Sequence, residues 1–217
     1  MNDLGDKDRT DDEGQGSEDN VNESYAGGDK LVQYGEMLFN LRDYTPLPLI
    51  FILLLAGKSS PFWAALGTLV ILLGELIRIY SVAFIGTVSR TRSRSTGSSL
   101  VSSGPFAVVR NPLYVGNFFI VLGFALFGGV LWILLLSLLA FFVQYFLIVK
   151  FEEHLLQKKF GEEYDQYRAT VPAFWPKSWQ FFGSLPWPSE FMPALISEKR
   201  TLTTIFVLLL LLSLFAR

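Results

Sequence analysis

The sequence predicts an all-α membrane protein: a polytopic helical bundle of about five transmembrane helices. Three observations predict it. Of the 217 residues, 51% are hydrophobic and 20 are Phe. Mean hydropathy is +0.38. The apolar residues gather in long unbroken runs, which a soluble domain of this length does not need. A helix requires ~20 mainly apolar residues to cross the hydrocarbon core.

Residues 1–30 carry ten acidic and three basic side chains, a balance of −7, which leaves +5 for the rest of a chain whose total is −2. With almost nothing apolar, this stretch cannot offset its ordering entropy and reads as a disordered acidic tail. It lacks the basic start and apolar middle of a signal peptide. Residues 31–90 hold the first two membrane helices. The first apolar run, Pro46 to Ala56, is short and is expected to extend back over Leu41–Tyr44. The second, Pro61 to Gly86, is long enough to span with tilt, and Lys58-Ser59-Ser60 links the two. Residues 91–176 form a core with a helical hairpin. The run Leu113 to Val149 is too long for one span and right for two, with Gly128-Gly129 marking the turn. Residues 177–199 read as a Pro/Trp-rich linker, and residues 200–217 as a C-terminal membrane helix over Leu202–Ala216.

Basic side chains near span ends set orientation. Arg90, Arg92, Arg94 and Arg110 follow the second span, and Lys150, Lys158, Lys159, Arg168 and Lys177 follow the fourth. The opposite side offers Lys58 and Arg217. Both long polar segments, 87–112 and 150–199, therefore fall on the basic, cytoplasmic side, with the tail inside and the C-terminus outside.

Several chemistries are excluded. The chain has no cysteine, so disulfides and thiolate catalysis are ruled out. Its one histidine, His154, reads as a surface residue, and no metal site is expected. There is no P-loop and no dinucleotide-binding glycine motif. No nucleic-acid partner is expected. In the second span, Glu75 and Arg78 stand at i, i+3, either pairing with each other or lining a cavity. Gly116 and Gly123 suit close helix packing.

The polar segments carry the functional information. Asn111 is a good N-cap and Pro112 fits the first turn, so the third span starts there with its free amides facing the loop. Such an end is either an ordinary helix start or a site for an anion. After the fourth span, Leu156, Phe160, Tyr164 and Tyr167 form one helical face, and Glu153 falls on it. An acid on an apolar stripe needs a partner, either an arginine of the facing loop or a ligand. Glu152 lies about 100° away and could face a neighbouring cleft.

Leu100-Val101, Gly104, Arg110, Pro112, Tyr114, Gly116, Glu152-Glu153, Phe160-Gly161, Tyr164, Tyr167 and Val171-Pro172 occur in that order around the hairpin. The pattern resembles the isoprenylcysteine carboxyl methyltransferase and phospholipid methyltransferase superfamily over roughly residues 62–176. The resemblance implies an integral membrane methyltransferase that uses S-adenosylmethionine and acts on a membrane lipid or lipidated amphiphile through a carboxylate, amine or hydroxyl. It implies a cofactor pocket at the cytoplasmic face, with contacts at Ser98, Ser99, Leu100, Val101, Phe106, Asn111, Pro112, Leu113, Tyr114 and Glu152. Glu152 would accept hydrogen bonds from the cofactor's cationic amino group. Periodicity makes Glu153 the inward acid instead, so both stay as candidates. Arg110, Glu153 and Tyr167 are candidates for orienting the acceptor. The sequence departs from the family pattern at Asn111 (usually His), Phe106 (usually Tyr) and Ile148 (an Arg in the carboxyl methyltransferases). Sterol and polyprenol reductases, which use NADPH, carry a similar Arg-His-Pro-x-Tyr-x-Gly segment. They usually follow that Gly with an acid where this chain has Asn117. A non-catalytic protein keeping the fold is the third reading.

Overall fold

The computed structural model describes residues 30–85, 99–177, 186–188 and 191–215. The acidic segment 1–29, Arg90, Arg92, Arg94, Ser98, much of the linker and Arg217 lie outside the described residues. Among the described residues the fold is entirely helical. Its helices are α1 (Lys30–Leu41), α2 (Leu47–Ala56), α3 (Pro61–Ile85), α4 (Pro105–Val108), α5 (Pro112–Phe127), α6 (Leu131–Phe160), α7 (Glu162–Thr170), α8 (Phe191–Ser197) and α9 (Lys199–Phe215). Two of them, α3 and α6, are long and apolar enough to cross a membrane. α2 and α5 are shorter apolar helices. The large apolar side chains of α3 and α6 that face outward include Leu69, Leu72, Leu76, Leu135, Leu139 and Phe142.

The expected hairpin turn stands at Gly128-Gly129. Gly129 adopts φ +67°, a left-handed conformation that glycine reaches without steric cost. The Lys58 amide donates to the Gly128 carbonyl at 2.8 Å, so the α2–α3 link and the α5–α6 turn sit together. The most extensive helix pairing joins α3 to α5. A Cβ on Gly67 would lie 2.5 Å from the Gly123 carbonyl, and one on Gly74 would lie 2.7 Å from that of Gly116. The two pairs run antiparallel and let the backbones touch, the packing role expected of Gly116 and Gly123.

Two expectations are corrected. The first apolar helix does not extend back over Leu41–Tyr44. Residues 42–46 form a turn, and a separate helix, α1, precedes it. Pro46 disfavours helical backbone at the residue before it, which ends any continuous helix there. α1 packs on α6, with Gly35 against Leu147 and Phe151, and Phe39 against the Phe151 ring at 5.6 Å. The segment read as a linker also contains α8, which packs on α3 through Ala194.

Two buried clusters mark the ends of the bundle. Leu53, Phe127, Ile133 and Leu212 join α2, α5, α6 and α9 at the glycine turn. Ile79, Val82, Ala83 and Ala194 join α3 to α8 at the other end, where the polar segments lie.

Candidate functional site at the polar end of the bundle

The segment before α5 is clasped to the segment after α7. The Arg110 amide donates to the Pro172 carbonyl at 2.8 Å, and the Asn111 amide to that of Ala173 at 3.1 Å. The Arg110 guanidinium donates to the Glu153 carboxylate at 2.6 and 3.1 Å and to the Val171 carbonyl at 2.6 Å. Arg168 adds a second cation 3.7 Å from Glu153. Glu153 is therefore the inward acid that periodicity predicted, and its partner is the arginine of the facing loop. Tyr167 donates its hydroxyl to the Phe106 carbonyl at 2.7 Å. The three residues considered for orienting an acceptor, Arg110, Glu153 and Tyr167, all hold this clasp.

Asn111 occupies the N-cap position of α5 without a side-chain capping bond. Its side-chain amide nitrogen donates instead to the Ala173 carbonyl at 3.2 Å. The expected cap is thus corrected to a cross-link between segments. Phe106 is buried under the clasp, and Ile148 is fully buried.

Next to Glu153 and about 100° around the helix, Glu152 is half-buried, with the Tyr114 hydroxyl and Arg42 near enough to act on it electrostatically. Glu152 and Tyr114 are the predicted cofactor contacts that the fold brings together. Leu113 turns away and packs on the Ile79 cluster. Pro112 is buried, Ser99 is exposed, and Leu100 and Val101 are half-buried on the approach to α4.

Beside Tyr114 opens a cleft of ≈ 490 Å³ between α5 and α6, lined by Phe118, Phe141, Phe142, Tyr145 and Phe146 among others. Phe174 and Trp175, carried by the clasped segment, close one side. Its Phe142 and Phe146 walls continue onto the outward apolar face of α6. Tyr145 stacks on Phe141 at 4.2 Å and meets Tyr114 at 4.7 Å.

A polar network backs the cleft, and the sequence reading found only part of it. Glu75 and Arg78 do pair, at 3.5 Å. The closer partner of Arg78 is Glu198, at 3.0 Å, from the start of α9. Arg78 also donates to Asn117, whose side-chain amide donates to the Tyr145 hydroxyl at 2.8 Å. The available signal was an acid, Glu198, set directly before the last apolar helix. Among the described residues no group of three or more His, Asp or Glu side chains is placed to hold a metal ion.

Comparison with known proteins follows the same segment. The chain is 35% identical over 80 residues to the nickel-cobalt-cadmium resistance protein NccN of Alcaligenes xylosoxydans xylosoxydans, covering 37% of each chain. It is 30% identical over 128 residues to the cobalt-zinc-cadmium resistance protein CzcN of Cupriavidus metallidurans, covering 59% of this chain and 56% of that one. The chain thus spans about a third and about half of the lengths of these curated relatives. No solved structure matches it at a significant level. The family model for phospholipid methyltransferase matches residues 62–163, the stretch that supplies both crossing-length helices, and family and helices together point to a membrane protein. The segment that builds α3, α5 and α6 and carries Tyr114 and Glu152 therefore matches the phospholipid methyltransferase family, in the isoprenylcysteine and phospholipid methyltransferase superfamily.

Proposed function

We propose that this protein is an integral membrane methyltransferase that uses S-adenosylmethionine to methylate a membrane lipid or lipidated amphiphile. The observation that carries the reading is the coincidence of the family segment with the Glu152–Tyr114 pair and the aromatic cleft beside it. The residues present fit the cofactor. Glu152 offers a half-buried carboxylate to a cationic amino group, and Tyr114 and Tyr145 offer aromatic faces to a sulfonium. When bound, the cofactor supplies an electrophilic methyl carbon, so the protein's part is alignment and exclusion of water. The cleft walls that continue onto the outer face of α6 let an acyl or isoprenoid chain slide in from the bilayer. The Arg110–Glu153 clasp holds Phe174 and Trp175 over the same cleft.

In this reading the chain crosses the bilayer five times, with the clasped end cytoplasmic. α1 and α2 together form the first crossing, broken at residues 42–46. α9 starts directly after Glu198, which sits beside Arg78, and reaches Leu212 at the glycine turn, the same interval that α3 covers.

Purified protein in detergent is expected to bind S-adenosylmethionine, measured by calorimetry, and Glu152→Ala to weaken that binding about 10- to 100-fold, the effect of losing one charge-assisted hydrogen bond. Binding of NADPH instead would assign the chain to reductase chemistry. Binding of neither would make it a non-catalytic member of the fold.

A further inference from the structure

The network behind the cleft has a fixed hydrogen-bond polarity. Glu198, only 1% exposed, accepts two hydrogen bonds from Arg78 at 3.0 and 3.2 Å and holds its guanidinium in place. A guanidinium only donates. The Asn117 atom facing Arg78 must therefore be the carbonyl oxygen, which turns the amide nitrogen toward Tyr145. That nitrogen donates at 2.8 Å, so the Tyr145 oxygen is the acceptor of this bond. The hydroxyl keeps its own proton. Among the described residues no side chain or carbonyl accepts it. Tyr145 lines the aromatic cleft one ring contact from Tyr114.

We propose that Tyr145 is a specificity-determining residue whose hydroxyl, held as a donor by the Glu198–Arg78–Asn117 chain, selects amphiphiles with a hydrogen-bond-accepting oxygen at the head group. A protonated amine has no lone pair to receive that proton and is disfavoured. This narrows the acceptor of the proposed methyltransferase to the oxygen class and rests on that reading for its catalytic meaning. The selection itself is a binding property.

The test uses the purified full-length chain in detergent at pH 7. Binding of radiolabelled palmitate is measured with hexadecylamine as competitor, alongside S-adenosylmethionine binding. The Glu152 carboxylate favours the amine equally in every variant, so the reading is the change from wild type: Tyr145→Phe is expected to lower the palmitate-to-hexadecylamine preference about tenfold, the effect of one hydrogen bond. Asn117→Asp carries the discriminating result. An aspartate has no donor, so the Tyr145 proton turns back to it and leaves the cleft, while the Arg78 contact is kept. Asn117→Asp should therefore reproduce the loss seen in Tyr145→Phe with Tyr145 intact. An unchanged preference in either variant overturns the proposal. A shifted preference without S-adenosylmethionine binding upholds the selection and rejects the methyltransferase reading instead.

Discussion

At the residue scale, adjacent acids have separated roles. Glu153 faces the loop and neutralises Arg110, with both side chains about 10% exposed. Glu152, 100° around the helix, faces the cleft side and Tyr114. A buried charge is tolerated only when paired, and Arg110 meets that need for Glu153 alone. Tyr164 and Tyr167 report on the same clasp. Burial, and then the neighbouring Glu153 charge, push the Tyr164 phenol up to about 12. Burial, and then Tyr164, raise Tyr167 as well. A raised folded value means that the stability of the docked α7 is fully present below about pH 10 and declines as the pH climbs toward 12. An absorbance titration at the phenolate band should show late-ionising tyrosines, and Tyr164→Phe should remove one of them. A wild-type titration with every tyrosine ionising near its ordinary value would contradict the buried clasp.

At the element scale, the α3–α5 pair depends on what its glycines lack. Backbone contact at Gly67–Gly123 and Gly74–Gly116 leaves no room for a methyl group. Gly123→Ala would press a Cβ to 2.6 Å from the Gly67 carbonyl and the Ile71 side chain. Overpacking of this kind costs about 1–3 kcal/mol, so the thermal midpoint in detergent should fall by several degrees. An unchanged midpoint would mean that the helices stand further apart. Much of this level was legible in the chain itself. The hairpin turn at Gly128-Gly129 and the limits of α3 followed from run length and from Gly and Pro positions. α1 was not legible, because its apolar side chains are interspersed with Lys30, Gln33 and Glu36, and its packing rests on one glycine, Gly35, meeting a distant helix.

At the scale of the whole molecule, the two buried clusters define opposite ends, and basic residues gather at the end carrying the clasp. The absence of native cysteine makes topology directly measurable. Single substitutions Ser59→Cys, at the glycine-turn end, and Ser103→Cys, at the clasp end, are expected to react differently with a membrane-impermeant maleimide on intact cells. Ser59→Cys should label and Ser103→Cys should not. Equal labelling of the two would rule out α3 as a crossing helix.

The sequence by itself determined that this is a helical protein with apolar helices of crossing length, a glycine-turn hairpin and a set of polar motifs in the order of one methyltransferase superfamily. These properties are local: run length, helical period and turn chemistry are written within a few residues of one another. Only the tertiary structure decided which acid meets which arginine and where Asn111 spends its amide. It also decided that Glu198, far along the chain, fixes the polarity of Tyr145 through Arg78 and Asn117. Hydrogen-bond polarity passes through space from donor to acceptor, and no period or spacing in the chain encodes which distant groups will be brought within 3 Å.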